Sequence, residues 1–481
     1  MKIYMLNPPY IPRFGRSMRW QDTGRAGALY YPIWLSYATA VAEQEHEVRL
    51  ADAPAWNWSL EDVLKDVRKF EPELVVVDSS FTSLKNDIRV AQEIKKEIGC
   101  KTVLVGPPAS QYPEEILKKG IDIVARYEYD FTILDIANAI EKGKDFREIR
   151  GISYKKDGTI LHNPDREFTS SEDLDKIPFV SKVYKKHLNI RDYFLNYCLY
   201  PMVQIFTGRG CPYRCTFCSW PQTFMGRKYR VRSIDNVLDE LEWIEENLDA
   251  KEVFFEDDTF TISKKMVNEF CKGYIERGLE ISWSCNARAD TLDLETMKNM
   301  KKANCRFLVV GFESADDDVL RNIKKGFTVE TARDFAKNVK KADLFLHADF
   351  IIGLPGEKRE TIEKMKRFIR EIKPDQLQVS VVTPFPGTEL YEWLKENGYL
   401  ITDDPEEYLD EDGHQKSIVS YPWLSSEEIV KIVDEMLREY YLSPRYIPIA
   451  LRQLLRGKGF CEIKRLFRSA MMFLKYSKKR Q

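Results

Sequence analysis

The stretch Gly208-Arg209-Gly210-Cys211-Pro212-Tyr213-Arg214-Cys215-Thr216-Phe217-Cys218 decides how the rest of the chain is read. Its three thiols stand at C-x3-C-x2-C, near enough to share one metal centre. Three thiolates hold iron or zinc but leave a four-ligand site one donor short. A remote residue or a bound substrate must supply the fourth. Zinc would want another Cys or His nearby, and Cys198 is the candidate close in sequence. The two glycines permit a sharp turn and leave backbone N–H groups free, which suits an anionic cluster.

With Phe217 before the last Cys, this spacing resembles the signature of the radical S-adenosylmethionine (SAM) superfamily. The resemblance implies a 4Fe-4S cluster on Cys211, Cys215 and Cys218, with SAM chelating the fourth iron. It also implies reductive cleavage of SAM to methionine and a 5′-deoxyadenosyl radical. The electron would come from a reductant such as ferredoxin or flavodoxin.

Around and beyond this loop one unit recurs: an apolar strand, a polar or Gly-rich tip, then a helix. Strands are expected at 202–206, 252–255, 281–285, 307–310, 345–352 and 376–382. Six such units fit a partial (β/α)6 TIM barrel, whose function collects at the carboxyl ends of its strands. The second tip, Glu256-Asp257-Asp258, offers carboxylates to an ammonium; an acidic helix start is the plainer reading. In the resembled family, Asp257 and Asp258 would hold the SAM amino group and Arg288 its carboxylate. A surface ion pair is an equal reading for Arg288. Glu313 and Ser314 match a family tip that faces SAM, and Phe217 belongs to the same site. Gly353, Pro355 and Gly356 resemble an adenine shelf, where glycine lets backbone approach a flat base. His347 reads as a hydrogen-bonded interior histidine and Cys285 as a small core residue.

Upstream, strands at 2–6, 48–51, 74–77, 102–105 and 122–125 alternate with helices, which implies a doubly wound Rossmann-like domain over residues 1–145. Its strand ends carry Asn7, Asp52, Asp78-Ser79-Ser80, Gly106 and Arg126-Tyr127-Glu128. The layout resembles the cobalamin-binding domain that precedes many radical SAM cores. The Asp-x-His-x-x-Gly motif is absent, the domain's one His is His46, and Gly106-Pro107-Pro108 stands where relatives show Gly-Gly. Two readings stay open: a cobalamin site, or a scaffold that kept the fold and lost the cofactor. Residues 146–197 read as a linker containing a hairpin turned at Lys156-Asp157-Gly158. The core spans 198–400 and a helical extension 401–481.

From Arg445 onward the extension has 11 Lys and Arg against one acid, Glu462, interleaved with Leu, Ile, Phe and Met at helical spacing. A basic amphipathic helix binds anionic membranes; a helix packed on the barrel with a solvated basic side is the alternative. The whole-chain charge of -2 over 481 residues argues against a general nucleic-acid surface. Nine Cys are too few for a disulfide scaffold at this length, so a reducing compartment is expected. Neither a signal peptide nor a membrane-length apolar run is read. The expected place is cytoplasmic, peripheral on the inner face of the membrane through the tail.

Tyr31-Pro32-Ile33-Trp34-Leu35, Asp52-Ala53-Pro54, Ala125-Arg126-x-Glu128-x-Asp130-Phe131-Thr132, Ile323-Lys324-Lys325-Gly326 and Asp412-Gly413-His414-Gln415 resemble the hopanoid-biosynthesis radical SAM proteins HpnJ and archaeal calditol synthases. That resemblance implies lipid biosynthesis: radical contraction of a sugar headgroup to a cyclopentane polyol. The alternative is a cobalamin-dependent radical SAM methyltransferase or oxidative cyclase. A non-enzymatic iron–sulfur electron-transfer module is the third reading.

Overall fold

The structure, a computed structural model, describes residues 1–456 and 459–479. Of the basic run, Lys458 and Arg480 lie outside the described residues, as do the side chains of Arg456, Lys478 and Lys479. The fold is the expected α/β arrangement of a Rossmann-like sheet, a parallel half-barrel and a helical extension.

The first sheet joins β1 (Lys2–Asn7), β2 (Glu47–Asp52), β3 (Leu74–Asp78), β4 (Lys101–Val105), β5 (Ile123–Ala125), β6 (Ile152–Lys156) and β7 (Thr159–His162) in the order β2-β1-β3-β4-β5-β6-β7. The first five are parallel, and the order reverses at β1, which pairs with both β2 and β3. All five residues of β3, Leu-Val-Val-Val-Asp, are buried, as a strand covered on both faces requires. The hairpin expected in the linker instead extends this sheet, pairing antiparallel with β5 through Val124↔Ser153. It covers the edge that the short strand β5 would leave open. Asp157 and Gly158 both take positive φ, as its tight turn demands.

In the core, β8 (Met202–Ile205) leads into a two-stranded ribbon, β9 (Gly208–Arg209) and β10 (Arg230–Val231), that flanks the cysteine loop. Then come β11 (Glu252–Phe255), β12 (Ser282–Ala287), β13 (Cys305–Glu313), β14 (Phe345–Ile352) and β15 (Gln376–Val381). With β8 they form a six-stranded parallel sheet in sequence order, so the half-barrel stays open between β8 and β15.

Helix Ile33–Ala42 joins the two sheets. All ten of its residues are buried, as expected of a helix apolar on every side. Trp34 meets Phe206, Trp220 and Phe224 of the core. The extension supplies helices Ser426–Tyr441, Tyr446–Arg456 and Phe460–Lys479. No helix among the described residues is long and apolar enough to cross a membrane.

Candidate active site

The cysteine loop is held by its backbone. Gly210 adopts φ +84, and a Cβ there would lie 2.3 Å from the Lys228 carbonyl oxygen, so only glycine fits. Gln222 Nε2 donates to the carbonyls of Cys218 and Thr216 at 2.7 and 3.1 Å. The ribbon around the loop is clamped to the first domain by two buried ion pairs. Arg209 donates to both carboxylate oxygens of Asp130, at 2.6 and 3.0 Å. Arg230 donates to both oxygens of Glu128, at 2.8 and 2.7 Å. Glu128, read as a ligand-facing strand end, thus anchors the loop instead.

Cys211, Cys215 and Cys218 open onto a cavity of about 210 Å³ at the barrel mouth, together with Phe217. Among the described residues no three His, Cys, Asp or Glu side chains are arranged to hold a single metal ion. Positive charge surrounds the three thiols. Arg288 Nη1 lies 3.7 Å from Cys215 Sγ, with its guanidinium 3.5 Å from the Tyr213 ring centroid. Lys325 stands 5.8 Å from the Phe217 ring. This donor set fits an anionic iron–sulfur cluster.

Asp258, Arg288 and Glu313 join the cysteines on the cavity wall. Asp258 accepts from Arg19 at 2.5 Å through Oδ1, whereas its Oδ2 is buried without a partner. That oxygen is placed to accept from a bound ammonium. Arg288 is already engaged, through Asp290 at 3.0 Å and the Lys325 carbonyl at 2.6 Å. Glu313 accepts from Lys325 Nζ at 2.8 Å. Its side chain folds back over Gly311, where a Cβ would lie 2.1 Å from Oε1.

Asp257, Ser314, Gly353, Pro355 and Gly356 do not line this cavity. Asp257 points into the barrel, accepting from the Thr207 amide and hydroxyl at 2.7 Å each and from the Tyr229 hydroxyl at 3.2 Å. It ties β11 to the approach of the cysteine loop, and burial pushes its carboxyl up to about 6. Ser314 Oγ is buried without a partner. Gly353 is required by packing: at φ +99, a Cβ would meet Val382 at 2.8 Å. Its amide donates to the Glu357 carboxylate at 2.5 Å, and Asn322 donates to the Pro355 carbonyl at 3.0 Å. At Gly356 a Cβ would lie 2.5 Å from Asn322 Nδ2.

The wall opposite the cysteines comes from the irregular segment after β1, through Arg19, Trp20, Asp22, Arg25 and Tyr30. These residues were missed as site residues. The available signal was an Arg- and Gly-rich run leaving the carboxyl end of the first strand, where doubly wound sheets bind ligands. Two of their polar atoms, Asp22 Oδ1 and Arg25 Nη2, are buried without hydrogen-bond partners. Burial pushes the Asp22 carboxyl up to about 6, against the pull of Arg25. His347 completes this side as the expected hydrogen-bonded interior histidine, 3.0 Å from Asp349 and 3.1 Å from Gln376. Cys285 is fully buried in the core, as expected.

The carboxyl edge of the first sheet is filled by the chain itself. Arg16 donates to both oxygens of Asp87, at 2.5 and 3.2 Å, and to Asn7 Oδ1 at 2.9 Å. Asn7 donates to Asp52 at 2.8 Å, and Asp52 accepts from Tyr193 at 2.8 Å. Gln21 receives the Phe81 amide at 2.8 Å. A Cβ on Gly106 would lie 2.2 Å from the Ser79 carbonyl oxygen. Arg16 and Gln21 thus lie across the carboxyl edge of the first sheet, where a doubly wound domain receives its ligand.

Residues 205–369 match the Radical SAM superfamily, and residues 22–135 match the B12 binding domain. The first match carries a 4Fe-4S cluster and SAM as cofactors; the second is associated with cobalamin. An uncharacterized methyltransferase of Pyrococcus horikoshii is 30% identical over 98% of this chain and 98% of its own length. The anaerobic magnesium-protoporphyrin IX monomethyl ester cyclase of Rubrivivax gelatinosus is 27% identical over 76% of this chain and 66% of its own. The solved structure of the radical SAM methyltransferase TsrM from Kitasatospora setae, with cobalamin and a [4Fe-4S] cluster bound, superposes with a TM-score of 0.70 at 16% identity, covering 99% of each chain, and so shares the fold. These comparisons do not show the resemblance to the hopanoid-biosynthesis and calditol enzymes. A relative at this identity aligned from end to end, with both family matches falling on the two sheets, makes the chain an enzyme of the radical SAM superfamily, in the group that carries an N-terminal B12-binding domain.

Proposed function

We propose that the chain is a radical SAM methyltransferase acting on a small organic substrate held in the cavity at the barrel mouth. The observation that carries the reading is the meeting of three thiols and the unpartnered Asp258 Oδ2 on one cavity wall. The end-to-end relative from Pyrococcus horikoshii, named a methyltransferase, supports methyl transfer over headgroup ring contraction.

In this reading residues 198–400 form the radical SAM core, 1–145 the B12-binding-like domain, 146–197 the connection and 401–481 the extension. Cys211, Cys215 and Cys218 hold the cluster, which supplies, once reduced, the electron that splits SAM. Asp258 accepts from the SAM ammonium through Oδ2 while Arg19 holds Oδ1. Arg288, paired with Asp290, and Lys325, paired with Glu313, would compensate the negative charge of the cluster. Glu313 fixes Lys325. Arg19 and Trp20 cover the mouth and exclude water from a radical. Asp22 and Arg25, with one unsatisfied oxygen and one unsatisfied nitrogen, contact the substrate, which therefore presents a donor and an acceptor close together.

A second reading is radical remodelling of a polyol headgroup without methyl transfer. One observation favours it: Arg16 and Gln21 make hydrogen bonds across the carboxyl edge of the first sheet, where a doubly wound domain receives its ligand. The test uses anaerobically reconstituted protein with SAM and reductant, with and without hydroxocobalamin. S-adenosylhomocysteine formed alongside 5′-deoxyadenosine, and only with cobalamin, supports methyl transfer. Deoxyadenosine alone, with or without cobalamin, favours the second reading. Neither product would end both.

A further inference from the structure

Helix Phe460–Lys479 packs with its polar side inward. Glu462 and Arg465 are fully buried. Arg465 donates to Glu462 at 2.8 Å and to Gln453 at 2.6 Å. Glu462 in turn accepts from Arg306 at 3.2 Å, and Arg306 donates to Glu252 at 2.8 Å. A line of buried ion pairs thus fastens the helix to the barrel.

The same helix bridges the segment that leads into β8 and the helix Ser426–Tyr441. On the β8 side, the Arg468 guanidinium stacks on Phe194 and Tyr200, at 4.4 and 4.8 Å. On the β15 side, Ser477 Oγ accepts from Arg438 at 3.0 Å, and the Phe473 ring lies 5.3 Å from Tyr441. Its inner side reaches the cavity wall. Tyr476 accepts from Arg25 at 3.0 Å, and Met472 packs on Gly27.

With polar groups spent inward, apolar ones face out. Helix Tyr446–Arg456 exposes Ile447, Leu451 and Leu455 by 59%, 50% and 85%, at i, i+4 spacing. Helix Phe460–Lys479 exposes Ile463, Phe467, Met471 and Leu474 by 52%, 63%, 51% and 45%. These seven outnumber all other large apolar side chains so exposed among the described residues. Apolar rows of this size mark an interaction surface. The one acidic side chain in residues 445–481 is the buried Glu462, and the exposed charged side chains of this tail among the described residues, such as Lys464 and Lys475, are positive.

We propose that this face docks on an anionic membrane surface, with the two apolar rows in the interfacial layer and the Lys and Arg side chains at the headgroups. Charge complementarity selects this occupant. A second copy of the chain, meeting the same face by two-fold symmetry, would bring positive rims together. Helix Phe460–Lys479 then separates the membrane from the cavity, with Met472 and Tyr476 on its inner side.

The test is co-sedimentation of the full chain with phosphatidylcholine vesicles, with and without phosphatidylglycerol, as salt is raised. Binding to the anionic vesicles should exceed binding to the neutral ones by about tenfold or more and fall with salt. The combined variant Leu455→Asp, Phe467→Asp, Met471→Asp should lose binding by about tenfold or more with its melting temperature kept, since these side chains touch solvent. Lys464→Glu with Lys475→Glu, which leaves the apolar rows intact, should also weaken anionic binding. Failure of the wild type to bind anionic vesicles, or binding unchanged in both variants, would overturn the proposal. So would a wild-type dimer in light scattering that the triple-Asp variant turns into a monomer.

Discussion

Arg19 Nη1 lies 2.5 Å from Asp258 Oδ1, so a segment of the first domain reaches the tip of the second core strand. The contact leaves one Asp258 oxygen without a partner and brings Arg19 onto the cavity wall. Because the pair splits the two oxygens between protein and ligand, the two residues should fail differently. Asp258→Asn removes the charge that receives the ammonium and should weaken SAM binding about tenfold or more, the size of a charge-assisted hydrogen bond. Arg19→Ala should change SAM affinity less and instead raise deoxyadenosine release without substrate product, because the mouth is uncovered. Equal losses of SAM affinity in both variants would contradict this division.

Cys215→Ala should yield protein that binds less iron and does not cleave SAM, because two thiolates cannot hold a cluster with one open corner. Iron content and deoxyadenosine formation measure it. Full SAM cleavage in this variant would remove the basis of the proposed function.

The clamp behind the loop gives a separate expectation. Glu128→Gln leaves Arg230 buried with its charge uncompensated, and breaking a buried pair in this way costs about 3–5 kcal/mol. Thermal unfolding should shift down, and cluster loading should fall with it, because Arg230 and Arg209 sit on the ribbon that carries the loop. A destabilised protein that still loads iron fully would separate the clamp from the loop's geometry.

Much of this was legible in the residues because periodicity and position carry it. The strand at 252–255 and the strand at 345–352 have the bounds their apolar runs suggest. Cys211, Cys215 and Cys218 share the cavity that their spacing implied. What sequence could not separate were residues of the right chemistry pointing the wrong way. Asp257 and Asp258 are neighbours with the same side chain in the bend after β11, yet Thr207 takes Asp257 and only Asp258 meets the cavity. Gly353 has the conformational freedom expected of a ligand-facing turn, but Val382 explains it. The segment bearing Arg19, Asp22 and Arg25 has no periodicity, so its placement rests on contacts with distant residues such as Asp258 and Tyr476.

Glu357 offers a pH test of the tip that lies off the cavity. Its Oε2 accepts from the Gly353 amide at 2.5 Å, while Oε1 is buried without a partner. Burial pushes the carboxyl up to about 8 from an ordinary 4.5, despite the backbone N–H groups that favour the charged form. Between those two values the folded chain keeps a proton that the unfolded chain has lost. Folding therefore binds protons in that window, and stability falls as pH rises through it, levelling above about 8. Glu357→Gln keeps the shape and has no proton to lose, so its melting temperature should fall less over the same range. Other buried carboxyls raised in the same direction, such as Asp78 and Glu256, each up to about 7, lower both proteins alike. The difference between the two melting curves therefore isolates Glu357. Parallel curves across the window would mean that the Glu357 carboxyl is already ionised in the fold and that Oε1 has found a partner.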